Sequence, residues 1–203
     1  MDRRTLNLGI LALGTSTVLP RVVLAVEVDV DKALAPRVLG DVDAPVTILE
    51  YSSLTCPHCA AFHNTTLPTL KKEYVETGKV KLEMRDFPLD QYALRAAAMA
   101  RCASEARYFA LMDLLFKQQA KWSRAQNPID ELKKIGRFAG IAPDLADACM
   151  TNTALLDGIL NARLQAQRTH EIQSTPTFIV GNTKVTGNQP MENFRQVIDG
   201  QLP

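Results

Sequence analysis

The chain contains, at residues 46–59, the sequence VTILEYSSLTCPHC. Residues 46–51 are mostly apolar and rich in β-branched side chains, which is typical of a buried strand. A short polar break follows this run, and the motif CPHC at residues 56–59 comes after it. Pro57 is favoured at the first position of a helix, because a missing N–H costs nothing there. We therefore predict a strand, a break and a helix that starts at Cys56.

The CPHC motif suits thiol–disulfide chemistry. With Cys56 as the N-cap residue, the backbone N–H groups of His58 and Cys59 point at its sulfur, and the helix dipole adds partial positive charge. Both effects favour the thiolate, which is the form that attacks disulfides. A protonated His58 adds a third stabilising charge. We predict that Cys56 is the nucleophile and Cys59, one turn further on, the resolving thiol, with Pro57 and His58 in support.

Two other roles are open to the Cys56–Cys59 pair. It could be half of a zinc site, but such a site needs two more soft ligands. Cys102 and Cys149 are the only other cysteines, and they do not form a second close pair in sequence. It could also be a structural disulfide, although a Cys-X-X-Cys pair that opens a helix is a poor cross-link for a fold. The redox role is favoured, and we expect no metal and no bound cofactor.

The first 25 residues indicate an export signal. Arg3 and Arg4 supply a positive start, residues 6–19 are mildly apolar, and Val23-Leu24-Ala25 offers a cleavage site after Ala25. The pair Arg3-Arg4 also resembles the start of a twin-arginine signal, so the export route stays open. Either route delivers the protein to an oxidising compartment such as the periplasm.

Length and charge restrict the class of protein further. The 203 residues suffice for one well-packed domain or a domain with a sizeable insertion. The 23 basic and 22 acidic side chains nearly cancel, and no basic block suggests a nucleic-acid partner. With Arg21 counted as a break, no apolar run reaches the roughly 18 residues of a membrane span. A monomer is the default expectation.

The remaining sequence predicts a sheet interrupted by helices. Residues 79–85 alternate charged and apolar side chains, as in a strand with one buried face. The helix from Cys56 is expected to reach about Tyr74, with a kink at Pro68. The other expected elements are a lead segment at 26–37 that follows the surface or adds an edge strand, helices throughout 89–167 with Asn127 as one N-cap, a hairpin at 177–180 and 183–186, and a closing helix from Met191.

These features resemble the DsbA family of thiol–disulfide oxidoreductases over about residues 41–199. The similarity lies in the CPHC motif, in Glu50-Tyr51-Ser52 at the end of the preceding strand, in the long helical insertion, and in Ser174-Thr175-Pro176-Thr177, which resembles the family's cis-proline loop. The resemblance implies an α/β fold, a thioredoxin fold with an inserted all-helical domain. The implied division is an export signal at 1–25, a lead at 26–40, a thioredoxin-like domain at 41–88 and 168–203, and the helical insertion at 89–167.

The resemblance also implies roles for residues outside the motif. Pro176 is expected to be cis and to present the backbone of Thr175 beside Cys56, where an extended substrate segment can pair with it. Glu50 is either a buried carboxylate that relays a proton near Cys59 or a charged strand end that faces water. Both alternatives are open.

By the same resemblance, the function is donation of the Cys56–Cys59 disulfide to reduced exported polypeptides. A quinone-linked membrane partner similar to DsbB would reoxidise the protein. Isomerase or reductase activity on the same fold is the nearest alternative. A non-catalytic module, such as a zinc carrier or a chaperone, is a more distant one.

The other two cysteines, His63 and the single tryptophan are expected to have structural roles. In an oxidising compartment we expect Cys102 and Cys149 to be bonded to each other, as in some members of the family, with two buried free thiols as the alternative. We expect His63 to be a solvated helix histidine, since no further metal ligands converge on it. Trp122, the sole tryptophan, is expected to be a packing residue.

Overall fold

The computed structural model describes residues 26–203, so the expected export signal at residues 1–25 lies outside the described residues. Within this range five strands form a mixed sheet in the order β1-β3-β2-β4-β5. Strands β2 and β3 are parallel, and the other neighbouring strands are antiparallel. The strands are β1 (Arg37–Leu39), β2 (Val46–Ser52), β3 (Val80–Asp86), β4 (Thr177–Val180) and β5 (Thr183–Thr186).

Ten α-helices accompany the sheet within residues 26–203, and six of them lie between β3 and β4 in the chain. The thioredoxin fold with a helical insertion is therefore confirmed, whereas the exact domain boundaries stay a prediction. None of the described helices has the length and apolar character that crossing a bilayer requires. The helices are α1 (Val30–Leu34), α2 (Pro57–Ala61), α3 (Leu67–Leu70), α4 (Gln91–Arg101), α5 (Glu105–Lys117), α6 (Gln119–Trp122), α7 (Pro128–Phe138), α8 (Pro143–Thr151), α9 (Thr153–Thr169) and α10 (Met191–Asp199).

The helix that follows the CPHC motif continues to Val75 by alternating α-helical and π-helical turns. The π turns are Phe62–Thr66 and Lys71–Val75, on either side of α3. Pro68, in the first turn of α3, has no N–H to donate and its ring crowds the carbonyl one turn back. The wider π turn before it removes both problems. The expected extent of the helix is close to the observed one, but the sequence did not predict the π turns.

The lead segment forms more structure than expected. Asp29 caps α1 by accepting a hydrogen bond from the N–H of Lys32. Strand β1 then pairs with β3 at the edge of the sheet, which confirms the edge-strand alternative. Arg37, at the start of β1, is only 3% exposed and donates a hydrogen bond to the carbonyl of Arg101. The lead is therefore packed against the helical insertion rather than lying loosely on the surface.

The two faces of the sheet pack against different helices. Ile48 of β2 joins a core with Phe62 and Leu70 from the helix that follows CPHC. Tyr51, on the opposite face of the same strand, packs with Ala166 of α9. Because side chains two apart on a strand share a face, Glu50 and Ser52 point toward the helix that carries Cys59. This placement brings the strand and helix parts of the site together.

The helical insertion supplies most of a core cluster that also includes Leu54 and Cys59, and it contains a covalent link. Cys102, at the C-terminal cap of α4, is disulfide-bonded to Cys149 of α8, so the pair does not consist of free thiols. Trp122 is fully buried, and its ring N–H donates to the carbonyl of Leu115 at 2.9 Å. Asn127 caps α7 as the sequence predicts.

Candidate active site

The start of α2 holds Cys56 as its N-cap residue. Cys56 has an extended backbone (φ −78°, ψ 120°), and Pro57 occupies the first helical position. The N–H groups of His58 and Cys59 face the Cys56 sulfur without forming cap hydrogen bonds of ordinary geometry. They act on the sulfur through partial positive charge, as expected at a helix N-terminus. The local sequence therefore places a thiol where a helix favours negative charge.

The Cys56 sulfur is nearly enclosed, with 6% of the residue exposed. Its Sγ lies 3.3 Å from the carbonyl oxygen of Thr175, and the Thr175–Pro176 peptide bond is cis. A hydrogen bond from the Cys59 thiol lowers the pKa of Cys56 to about 5, from an ordinary value of 9.0. Burial opposes this shift, while Thr175 and the two N–H groups add to it. Cys56 is therefore a thiolate at neutral pH.

Cys59 lies in the opposite environment. It is fully buried, and its sulfur accepts a hydrogen bond from the N–H of Ser53 at 3.5 Å. Burial, followed by the neighbouring Cys56, raises the pKa of Cys59 far above its ordinary value. The reduced pair thus holds one anion and one proton, with the anion on the outer sulfur. Pro57 and His58 are exposed and form the rim beside it.

The loop before Cys56 is fixed by the helical insertion. The side-chain amide of Gln119, in α6, donates to the carbonyls of Leu54 at 3.0 Å and of Cys56 at 2.8 Å. The hydroxyl of Thr55 donates to the carboxylate of Asp90, which also caps α4. These residues position the cysteine backbone, yet sequence reasoning missed them. No local sequence signal distinguishes Gln119 from any other helix glutamine.

Glu50 and His63 form a buried pair between the strand before the CPHC motif and the helix after it. Glu50 is 0% exposed, so the alternative of a solvated strand end is wrong. His63 is 6% exposed, its Nε2 lies 2.8 Å from Glu50 Oε1, and its ring stacks on Phe116 at 3.9 Å. The expectation of a solvated His63 is therefore also wrong. Its position four residues after the buried Cys59 was the signal for a shared inner face.

No group of three or more histidine, cysteine, aspartate or glutamate side chains within residues 26–203 is arranged to hold a metal ion. The nearest polar partners of the cysteine pair are backbone groups and hydroxyls instead.

Comparisons with known proteins find relatives in sequence and in fold. A thioredoxin family model matches residues 32–200. The crystal structure of alpha-DsbA1 from Wolbachia pipientis is 30% identical, with 82% of this chain and 90% of that chain covered and a TM-score of 0.77. The chain belongs to the DsbA family. Since this family has the thioredoxin fold, the membership agrees with the sheet order and the inserted helices described above.

Two further comparisons give a similar sequence and a similar fold for this DsbA-family protein. A Rickettsia conorii protein, provisionally named a protein-disulfide oxidoreductase, is 36% identical over 169 residues, which are 81% of this chain and 60% of the relative. The chain thus spans about three fifths of the length of such curated relatives. The oxidised structure of BdbD from Bacillus subtilis, 20% identical with a TM-score of 0.73 over 81% of this chain and 91% of that one, shares the fold.

Proposed function

We propose that this DsbA-family protein oxidises pairs of thiols in exported polypeptides by donating a Cys56–Cys59 disulfide. The observation that carries the proposal is the asymmetry of the two sulfurs. The pKa of Cys56 is lowered to about 5, whereas burial raises the pKa of Cys59. A disulfide whose reduced form contains a stabilised thiolate is more readily reduced, and it therefore oxidises other thiols.

The reaction has two exchange steps. A substrate thiolate attacks the Cys56 sulfur, the bond between Cys56 and Cys59 breaks, and the electron pair leaves on Cys59, which takes up a proton. A second substrate thiolate then attacks the sulfur bonded to Cys56 and expels Cys56 as the stable thiolate. Two electrons pass from the substrate to the cysteine pair. The two substrate thiols release two protons in total. Cys59 takes up one proton, so one proton remains in solvent.

The cis-proline loop supplies a place for the substrate backbone. The carbonyl of Thr175 lies 3.3 Å from the reacting sulfur, and Pro176 holds the loop in a sharp turn. An extended segment on either side of a substrate cysteine can pair with this loop by strand addition. Backbone pairing accepts many sequences, which suits a protein with varied reduced polypeptides as substrates.

The cellular setting follows from the family and from the first 25 residues. We place the mature protein in the periplasm or another exported location after cleavage behind Ala25, and we expect a monomer. A membrane reoxidase similar to DsbB would regenerate the disulfide. Mass spectrometry of protein recovered from the exported fraction tests the location: a mature N-terminus at Val26 supports it, and an intact residue 1–25 segment in the cytoplasmic fraction contradicts it.

The activity itself is tested by single-turnover oxidation of a reduced dithiol peptide. Oxidised protein should convert the peptide to its disulfide, and Cys56→Ser and Cys59→Ser, which cannot form the Cys56–Cys59 disulfide, should both be inactive. When Cys59→Ser is mixed with the disulfide form of the peptide instead, its Cys56 thiolate should attack that disulfide and form a mixed disulfide. A protein with Cys102→Ala and Cys149→Ala is the control, because it loses two cysteines but should keep the activity. Activity that survives Cys56→Ser contradicts the proposal. Efficient rearrangement of scrambled disulfides without net oxidation would indicate an isomerase instead.

A further inference from the structure

The peptide group between Ser52 and Ser53 directs a donor at the buried sulfur of Cys59. The N–H of Ser53 donates to Cys59 Sγ at 3.5 Å. The carbonyl of Ser52, on the other side of the same peptide group, accepts a hydrogen bond from the N–H of Phe87 at 2.8 Å. Because a peptide group is planar, fixing its carbonyl also fixes its N–H. The donor is therefore held in place before any charge appears on the sulfur.

The side chain and carbonyl of Ser53 hold the loop in the same position. The hydroxyl oxygen of Ser53 is buried and accepts a hydrogen bond from the N–H of Leu89 at 3.3 Å. The carbonyl of Ser53 accepts another from the N–H of Cys56 at 3.1 Å. These two bonds tie the loop to the start of α2 and to the segment after β3, so the Ser53 N–H cannot turn away from Cys59.

The side chain of Ser52 supplies a hydroxyl on the same side of the sheet. Ser52 ends β2, is 5% exposed and shares with Glu50 the strand face that points toward the helix of Cys59. Its hydroxyl oxygen is buried and has no hydrogen-bond partner of ordinary geometry within residues 26–203. Most buried hydroxyls in proteins do have a partner. The free hydroxyl of Ser52 is thus available to an acceptor that forms during the reaction.

The acceptor that suits this hydroxyl is the thiolate of Cys59. Burial, followed by the neighbouring Cys56, raises the pKa of Cys59, and the hydroxyl of Ser52 and the N–H of Ser53 oppose this rise. A neutral thiol is a weak acceptor, and the hydroxyl of a serine rotates freely. A hydrogen bond to an anion is about twice as strong as one between neutral groups. The two donors therefore act on Cys59 chiefly when it carries a negative charge.

The proposed exchange reaction creates such a charge at each turnover. When a substrate thiolate attacks Cys56, the sulfur of Cys59 leaves with the electron pair. Cys59 has no exposed surface, so water does not solvate this anion. Charge buried without a partner is costly. The helix N-terminus stabilises Cys56, but its effect falls off within the first turn, and Cys59 lies one turn further on.

We propose that the N–H of Ser53 and the hydroxyl of Ser52 stabilise the Cys59 thiolate as it leaves Cys56 and as it attacks Cys56 in the reverse step. This inference rests on the proposed function. The bond between the two cysteine sulfurs breaks, the electron pair goes to Cys59, and both donors keep their protons. Cys59 then takes up a proton that comes from solvent. Fixed donors aimed at a developing charge stabilise oxyanions in the same way.

The experiment compares oxidised native protein with Ser52→Ala in their reduction by dithiothreitol. The second thiol of dithiothreitol closes a ring rapidly, so the first exchange step limits the rate. Both proteins carry Cys102→Ala and Cys149→Ala, so that only the active site is reduced. We expect Ser52→Ala to react about 10- to 100-fold more slowly, the loss that corresponds to one hydrogen bond to a charged acceptor. Ser52→Thr, which keeps a hydroxyl, should recover most of the rate.

Two further measurements separate this role from a structural one. Urea unfolding of Ser52→Ala should show no loss of stability, because the hydroxyl has no other partner to lose. The equilibrium constant with glutathione should keep its native value. Cys59 is bonded in the oxidised protein and is a neutral thiol in the reduced one, since burial raises its pKa. A variant that is unstable, or whose equilibrium shifts as much as its rate, would show a structural role and overturn the proposal.

The matched control is Thr66→Val, which removes another buried hydroxyl from the helix that carries Cys59. This hydroxyl lies 3.5 Å from the carbonyl of Gln189 and is directed away from the cysteines. The control should keep the native rate. If Ser52→Ala also reacts at the native rate while the native protein oxidises the dithiol peptide, the stabilising role is disproved and the oxidase function stands. A native protein that does not oxidise the peptide would contradict the proposed function itself.

Discussion

Cys56 should make a measurable contribution to the pH dependence of the stability of the reduced protein. Its pKa is about 5 in the folded state, against 9.0 for an ordinary thiol. A group whose folded pKa is lowered stabilises the fold above the unfolded pKa, and the effect is lost as the pH falls through the folded pKa. At pH 7 only the interval between the folded pKa of about 5 and pH 7 contributes, so two of the four units of the pKa shift stabilise the fold. At about 1.4 kcal/mol per unit, this contributes about 2.7 kcal/mol.

The assay is denaturant unfolding of the reduced protein and of reduced Cys56→Ser, each at pH 7 and pH 4. Every other group titrates in both proteins, so the change in their stability difference isolates Cys56. Both should carry Cys102→Ala and Cys149→Ala, so that reductant alters the active site only. We expect the difference to shrink by about 2–3 kcal/mol between pH 7 and pH 4. A difference that stays constant within about 0.5 kcal/mol would refute the reasoning.

The same free energy sets the oxidising strength of the pair. Stabilising the reduced form by about 2.7 kcal/mol raises the reduction potential by about 60 mV at pH 7, since 30 mV corresponds to about 1.4 kcal/mol for two electrons. Because the contribution disappears below the folded pKa, the advantage of the pair over an ordinary dithiol should fall as the pH approaches 5. Equilibration with glutathione at several pH values measures this directly.

Three further predictions concern residues around the site. Thr175→Val removes a buried hydroxyl that favours the thiolate, so thiolate absorbance should show a higher pKa for Cys56, and an unchanged pKa would contradict this. Gln119→Ala leaves the carbonyls of Leu54 and Cys56 without their donor and should lower the unfolding free energy by about 1–3 kcal/mol, measured with urea; no loss would contradict the positioning role. Removing the Cys102–Cys149 bond, which spans 47 residues, should lower stability by about 4 kcal/mol by the chain-entropy model, and equal thermal unfolding of the two forms would argue against it.

The parts of the fold that follow from local pattern could be predicted from the sequence. The alternation at residues 79–85 and the apolar run at 46–51 correspond to β3 and β2, shifted by one residue at their ends. The hairpin and the closing helix were also predicted, and Cys56 precedes the first helical residue, Pro57. In each case the spacing of apolar residues, or a helix-capping residue within a few positions, determines the element.

The contact partners that distant elements supply could not be predicted. His63 is buried because Phe116 of α5 stacks on it and Glu50 of β2 bonds to it. Arg37 is buried because the carbonyl of Arg101, 64 residues away, accepts its hydrogen bond. Gln119 reaches the active-site loop only through the way in which α6 docks. No local signal at these positions indicates the partner, since each partner comes from another element.

The central claim is that Cys56 is held as a thiolate at the start of α2. Titration of thiolate absorbance in the reduced protein, with Cys56→Ser as the blank, tests it most directly. One thiolate should appear with a midpoint near pH 5, and none should be added by Cys59 up to pH 8. A midpoint near 9, the ordinary value for a thiol, would contradict the claim.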